Sequence, residues 1–360
     1  MGPARRSGTD FIKLNRVTMI NILLADDSML VRQVLTDLLH QSPDIRVIGC
    51  ADNGRAAVEL TQILKPDLVI MDLVMPVMDG LVAIEEIMAA TPTPVLVLSA
   101  AVEATEVSRA FNAIRRGALD VMEKPAVNDS WALEDFSCRL LEKVRLLSGI
   151  RVIRHPRRKA RVPSATEIRS AGPCPNLLAI GASTGGPKAV MSLLKTLTAD
   201  FPATVFVVQH IADGFADGFA TWLDRECAIS VRLAVDGAKY GPGEVVVAPG
   251  SCHLTVSDGR IRLKDLPPVN CCRPSIDVFF TSLAQAPCEQ VVAVLLTGMG
   301  RDGAQGMLRI KERGGTTLVQ DEPSCAVFGM PKEAIKLNAV DRILPLDSIP
   351  DAIRKLFTAS

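Results

Sequence analysis

Two sets of residues in this chain have types and spacings that chemistry can use. The first is Asp26-Asp27, Asp72, Ser99 and Lys124. Three carboxylates brought together repel one another unless a hard divalent cation such as Mg²⁺ sits among them, since Mg²⁺ prefers oxygen ligands and retained water. Such an ion bridges phosphoryl oxygens and neutralises charge in transfer. Asp72 is then placed as the nucleophile that accepts a phosphoryl group. Lys124 would pair with the acyl phosphate, and the Ser99 hydroxyl would bond a phosphoryl oxygen. The second set is Gly181-x-Ser183-x-Gly185, followed by His210 and Asp302. A serine between a strand and a helix presents its hydroxyl beside a helix N-terminus, which favours developing negative charge. Gly185 and Gly186 allow close backbone approach. Ser183 would attack a carbonyl, His210 would take its proton and return it to the leaving group, and Asp302 would orient the imidazole. His253 is an alternative base, ranked below His210 because it lies in a different, antiparallel stretch. Taken singly, each piece has a plainer reading. An Asp-Asp pair is an ordinary cap, a lysine before proline is ordinary surface, a Gly-Ser-Gly turn serves as a phosphate cradle or a loop, and a strand-end histidine is often structural.

The elements around these residues give the sets their force. Short apolar runs at 20–25, 46–49, 68–72, 95–99 and 118–122 read as strands. Segments with apolar residues at three and four read as helices between them, the last over 131–147. Five such alternations predict a doubly wound parallel sheet. Asp26, Asp27, Asp72, Ser99 and Lys124 then all fall at C-terminal strand ends, where ligand sites of such sheets open. A second alternation begins at 177. Strands at 178–180, 205–209, 291–296 and 316–320 alternate with helices from about 187 to 197, over 275–285 and beyond 303. The stretch 244–265 reads as short antiparallel strands with turns at Pro249-Gly250 and Asp258-Gly259. Ser183, His210 and Asp302 again follow strand ends. The expected architecture is α/β throughout: two doubly wound parallel-sheet domains, the second with a short antiparallel insertion. The expected divisions are an extension at 1–18 taken as disordered, a first domain at 19–147, a basic proline-containing connector at 148–175 and a second domain at 176–360.

Composition excludes several classes. The chain has 360 residues, 48% of them apolar and 22% charged, which suits a globular protein of two domains. Its 40 basic and 40 acidic residues cancel, so no global footprint for nucleic acid or anionic membrane exists. No apolar run approaches the 18 or more residues of a membrane span. The nine cysteines form neither a disulfide framework nor a metal-binding spacing, which points to reduced thiols and a cytoplasmic protein. Residues 1–18 carry charges throughout and lack the apolar core of a signal peptide.

The first domain resembles the response-regulator receiver over about 20–147, through LADDSMLVR at 24–32, MDLVMPVMDG at 71–80 and EKP at 123–125. The resemblance implies phosphorylation at Asp72 and a metal held by Asp26, Asp27, Asp72 and the carbonyl of Val74. It departs from the family at Val121, where an aromatic switch residue is common. Over 176–357 the chain is similar to the catalytic domain of the chemotaxis receptor methylesterase family, CheB. The motifs are IGASTGG at 180–186, QH at 209–210, PPVN at 267–270, RPS at 273–275, LTGMGRDG at 296–303 and FGMP at 328–331. The order Ser, His, Asp also differs from the Ser, Asp/Glu, His of ordinary α/β hydrolases.

This second resemblance implies a phosphorylation-activated enzyme that hydrolyses glutamate γ-methyl esters on methyl-accepting chemotaxis receptors, with release of methanol. Deamidation of receptor glutamines at the same site follows from it, because only the leaving group differs. Ser183 would be the nucleophile, His210 the base and Asp302 the orienting acid. The Met299 amide would serve as oxyanion donor, Thr184 would assist, and Arg273 would either contact acidic substrate or form a surface ion pair. A chemotaxis histidine kinase is the implied phosphodonor. The unphosphorylated receiver would pack against the Ser183 face. No cofactor is expected in the hydrolase site, and neither nucleic-acid binding nor membrane insertion is expected. The alternatives are a paralogous methylesterase serving another chemosensory receptor system, a receiver joined to an inactive binding module, and a DNA-binding regulator. The last lacks any helix-turn-helix signature.

Overall fold

The computed structural model describes residues 19–100, 104–124, 130–150, 176–286 and 290–358. The expected extension at 1–18, the connector from 151 to 175 and Pro125 lie outside the described residues. The first sheet is built from β1 (Ile20–Ala25), β2 (Ile45–Ala51), β3 (Leu68–Asp72), β4 (Val95–Ser99) and β5 (Asp120–Glu123), with helices α1 (Met29–His40), α2 (Gly54–Leu64), α3 (Gly80–Ala90), α4 (Ala104–Arg116) and α5 (Ser130–Ser148) between and after them. All its pairings are parallel, in the order β2-β1-β3-β4-β5. β3 and β4 are buried along their whole length, as aliphatic runs covered on both faces should be. Side-chain caps start the helices. Ser28 Oγ accepts the Val31 N–H at 3.4 Å, Asn53 Oδ1 the Ala56 N–H at 2.9 Å and Asp79 Oδ1 the Leu81 N–H at 2.6 Å. The fifth strand starts two residues later than its apolar run suggests. Ala118 still belongs to the end of α4: its N–H bonds the Ala113 carbonyl across Gly117, whose φ is 125°.

The second sheet has seven strands. Its elements are β6 (Leu177–Ala182), α6 (Gly186–Leu194), β7 (Thr204–Gln209), α7 (Asp213–Glu226), β8 (Ser230–Leu233), β9 (Glu244–Val247), β10 (His253–Ser257), β11 (Arg260–Lys264), α8 (Ile276–Gln285), β12 (Val291–Leu295), α9 (Ala304–Glu312), β13 (Thr316–Gln320), α10 (Met330–Lys336), β14 (Arg342–Leu344) and α11 (Ile349–Thr358). The order is β14-β13-β12-β6-β7-β9-β8, all parallel. Two expectations need correction. β9 is not part of an antiparallel insertion but a parallel strand beside β7, so Pro249-Gly250 does not turn a hairpin. Gly250 instead lies against the start of α7, where an added Cβ would come within 2.3 Å of Asp213 Cα. Only β10 and β11 pair antiparallel among the described strands, across Asp258-Gly259 with φ of 52° and 66°; both being left-handed suits a tight hairpin. α6 also stops short of 197. Thr196 and Leu197 form tighter bonds, to the carbonyls of Leu193 and Leu194.

The two halves share one apolar core. Phe111 of α4 stacks on Trp222 of α7, with centroids 5.3 Å apart and planes 22° apart, and meets Phe219 at 5.3 Å and Phe215 edge-on at 6.3 Å. Val107 fits against Gly218, where an added Cβ would lie 2.0 Å from Val107 Cγ1. Arg115 Nη1 reaches Glu226 Oε1 at 2.9 Å at the rim.

Candidate active site and phosphoacceptor pocket

In the second sheet β6 is flanked by β7 on one side and β12 on the other. Their C-terminal ends open a crevice where the strand order reverses. Ser183 follows β6, His210 follows β7, and the turn 297–303 follows β12. The turn is held tightly to the serine: Ser183 N–H donates to the Thr297 carbonyl at 3.0 Å. Thr297 Oγ1 donates to the Thr184 carbonyl at 2.9 Å and accepts the Val327 N–H at 2.9 Å. Gly298 lies against Ser183, since a Cβ there would come 2.7 Å from Ser183 Cβ. Gln209, buried at the end of β7, donates through Nε2 to the carbonyls of Ser183 at 2.8 Å and His210 at 3.1 Å. One side chain thus ties two of the three candidates together.

This gives a prediction at Gly186. An added Cβ would come 2.1 Å from Gln209 Oε1 and 2.8 Å from Ala182 Cβ. Gly186→Ala is expected to displace Gln209 and cost about 1–3 kcal/mol of stability. Loosening the serine and histidine together should lower kcat about 100-fold. Urea unfolding checks the first effect, and turnover at the Ser183 crevice the second.

Asp302 is the best-bonded group of the cluster. It is 2% exposed. His210 Nε2 lies 2.9 Å from its Oδ2, and the Ile276 N–H donates to the same oxygen at 2.6 Å. Its Oδ1 accepts from Ser275 Oγ at 2.7 Å, Asn270 Nδ2 at 3.0 Å and the Asp277 N–H at 3.2 Å. The carboxylate therefore also receives the first N–H groups of α8, where negative charge is favoured. Burial works to raise its pKa, but the His210 bond and charge, with the Asn270 and Ser275 bonds, outweigh it and hold the carboxyl below its ordinary value. An ionised carboxylate accepts only, so His210 Nε2 carries the proton and Nδ1 is left with the lone pair.

His210 Nδ1 faces Cys272 Sγ at 3.5 Å. Among the described residues no hydrogen bond joins Ser183 Oγ to His210; a catalytic contact of this kind commonly tightens only with substrate bound. Ser183 is half-buried and Thr184 buried. Met299 is exposed, and its backbone N–H has no hydrogen-bond partner among the described residues, as a donor kept for an oxyanion requires. His253 is fully buried and committed elsewhere: Nδ1 accepts the Ser275 N–H at 3.1 Å and Nε2 lies 3.0 Å from the Pro267 carbonyl. Arg273 pairs with Asp265 at 2.9 Å on the surface.

Asn270 and Ser275 fall within the PPVN and RPS motifs but take no role of their own from spacing, and Cys272 is expected only in a stretch near the substrate. Ser275 was open to detection as the polar residue before an apolar helical run, an N-cap signal. It does cap α8, accepting the Val278 N–H at 3.3 Å. Asn270 and Cys272 carried no such signal, because their approach depends on a loop with left-handed backbone at Asn270 and Cys271, φ 52° and 60°.

At the other crevice, ligand oxygens of Asp26, Asp27 and Asp72 lie within 4.8 Å of one another. Lys124 Nζ reaches Asp26 Oδ2 at 2.7 Å and Asp72 Oδ1 at 3.1 Å. Burial raises the Asp72 pKa, the Lys124 charge opposes it, and the Asp26 charge adds to the rise. A crowded carboxylate set with one ammonium is the donor chemistry that a hard divalent ion satisfies. Ser99 is buried at the end of β4, beside this pocket. Val74 is exposed, two residues past Asp72.

A five-stranded sheet with this pocket, joined to an α/β domain with a Ser, His, Asp crevice, defines a response regulator whose output domain has the layout of a hydrolase. Residues 22–131 match the response regulator receiver domain model and residues 178–353 the CheB methylesterase model. A protein of Anaeromyxobacter dehalogenans named protein-glutamate methylesterase/protein-glutamine glutaminase 2 is 46% identical over 337 residues, 94% of this chain and 97% of the relative. One of Geobacter metallireducens, number 4 of that name, is 42% identical over 343 residues, 94% of this chain and 99% of the relative. The CheB methylesterase catalytic domain of Thermotoga maritima aligns with a TM-score of 0.48 at 36% identity, over 52% of this chain and 99% of that one. The chain belongs to the CheB methylesterase family. Receiver domains of this kind use Mg²⁺ in phosphorylation, and among the described residues no helix is long and apolar enough to cross a membrane.

Proposed function

We propose that this enzyme hydrolyses glutamate γ-methyl esters on methyl-accepting chemotaxis receptors, releasing methanol, and deamidates specific receptor glutamines at the same site. The observation that carries the proposal is the Asp302–His210 bond beside Ser183, in a chain so similar to proteins named for both activities. Ser183 Oγ attacks the ester carbonyl and passes its proton to His210 Nδ1. The oxyanion is received by the Met299 amide, with Thr184 helping to shape the turn. His210 returns the proton to the departing methoxide, or to the amine in deamidation. Water, deprotonated by the same histidine, then cleaves the acyl-serine and leaves the glutamate carboxylate. Asp302 holds Nε2–H and stabilises the imidazolium. No cofactor takes part in this site.

Control belongs to the receiver. Asp72 accepts the phosphoryl group from a chemotaxis histidine kinase, while Lys124 and Ser99 receive its oxygens. Mg²⁺ would be held by Asp26, Asp27, Asp72 and the Val74 carbonyl, and when bound it neutralises charge on the phosphoryl group. Coupling to the hydrolase rests on α4, which packs on α7 and α6. These helices begin three residues past His210 and Ser183 respectively, so a shift of α4 acts on both through a domain interface. The working divisions are 19–147 for the receiver, 148–175 for the connector and 176–360 for the hydrolase, in a cytoplasmic protein. The test is methanol release from methylated receptor membranes, with and without a small phosphodonor and Mg²⁺. Release stimulated by phosphodonor is expected; none from receptor membranes by a folded chain would sink the substrate assignment. Asp72→Asn, or chelation of Mg²⁺, is expected to remove the stimulation. Stimulation that persists in Asp72→Asn would move the phosphoacceptor elsewhere.

A further inference from the structure

The Cys272 thiol is not used by the mechanism, yet it lies against the ring nitrogen on which the mechanism depends. Cys272 Sγ and His210 Nδ1 are 3.5 Å apart. A tetrahedral zinc with Zn–S of about 2.3 Å and Zn–N of about 2.0–2.1 Å separates its sulfur and nitrogen donors by roughly 3.6 Å. The pair is therefore already spaced for such an ion. The other ring nitrogen is held by Asp302 at 2.9 Å, and a carboxylate behind a ligating histidine fixes its tautomer and raises its basicity. The donor atoms of His210, Cys272 and Asp302 all lie within 4.8 Å of one another. Asp302 is saturated by its other donors, which suits the role of orienting group better than that of direct ligand. The His210 side chain is 14% exposed and Cys272 is half-buried, so neither donor is sealed from the solvent that would supply the remaining ligands.

We propose that Cys272 Sγ and His210 Nδ1 form a binding site for a soft or borderline divalent cation of the Zn²⁺ class, which turns the hydrolase off by occupying the lone pair that Ser183 needs. Coordination breaks the Cys272 S–H bond, releases one proton to solvent and forms a metal–thiolate bond; nothing is oxidised or reduced. The donor set discriminates between ions. Sulfur and imidazole favour Zn²⁺ and its neighbours, whereas the all-carboxylate pocket of the receiver favours Mg²⁺. The metal that supports phosphorylation thus leaves the hydrolase free. The coordination stands on geometry alone, and the inhibition rests also on the functional reading of His210.

Co²⁺ is the spectroscopic probe. In the full chain with Mg²⁺ present, Co²⁺ is expected to give the near-ultraviolet charge-transfer absorption of a cobalt thiolate. The band should survive in Cys271→Ala, which removes the exposed neighbour, and vanish in Cys272→Ala and Cys272→Ser. The concentration of Zn²⁺ that halves ester hydrolysis, each variant being compared with its own metal-free rate, should rise at least about 10-fold in both Cys272 variants. No band in the unmodified chain, or a band that persists without Cys272, overturns the site. An intact band with Zn²⁺ inhibition unchanged in the Cys272 variants overturns the switch, and it does so without bearing on the esterase assignment.

Discussion

Ser183→Ala is expected to lower kcat for ester hydrolysis by about 10⁴-fold or more, to the residual rate that binding and oxyanion donors alone support. The fold should be untouched. Ser183 Oγ forms no hydrogen bond among the described residues, while its N–H and carbonyl, held by Thr297 and Gln209, do not depend on the side chain. The variant should therefore bind methylated receptor membranes and melt at the unmodified temperature. Rapid-quench measurement of methanol release, with a melting curve alongside, tests both parts. Turnover within 10-fold of the unmodified enzyme would remove Ser183 from the chemistry.

The second large effect is at Asp302. Asp302→Asn should also reduce kcat about 10⁴-fold, because an amide that turns its NH₂ toward His210 reverses the tautomer and places the proton on Nδ1. KM should change little. Unlike the serine change, this one also destabilises the fold. The carboxylate accepts from Ser275, Ile276, Asp277 and Asn270 as well as His210, and an amide has only one acceptor atom to offer them. Each buried donor left unmatched costs about 1–3 kcal/mol. The pH dependence has a definite sign. The folded carboxyl titrates below its ordinary value, so its stabilisation is complete above the unfolded pKa of about 3.9 and is lost as pH falls through the folded one. The stability gap between the unmodified chain and Asp302→Asn should thus be full at neutral pH and close progressively below about pH 4. Denaturant melts across that range check it; a gap independent of pH would mean that the ionised form is not the one held by α8.

These two residues were open to sequence reasoning for the same reason as Asp72. Each follows a strongly apolar strand, and a parallel sheet collects its strand ends in one crevice. What escaped the sequence depended on weaker or longer-range signals. β8 and β14 have only four and three residues, too few for alternation to declare itself. β9 has an apolar run but no local mark of direction; its partner β7 comes from far earlier in the chain, and the nearby Pro249-Gly250 imitates a hairpin. The ring of donors around Asp302 depends on how the loop before α8 and the first turn of α8 meet the turn that follows β12. The contact between Cys272 and His210 depends on the same loop, and neither follows from spacing along the chain.

The Phe111–Trp222 stack has a consequence for handling the protein. Phe111, Phe215, Phe219 and Trp222 are all buried in one core that runs through both halves. A fragment holding only one half would turn part of that core outward as a contiguous aromatic patch, the kind of surface that recruits a second copy. Isolated halves are expected to self-associate as their concentration rises. Rates measured on a truncated hydrolase would then change with dilution, an assembly effect that imitates release from inhibition.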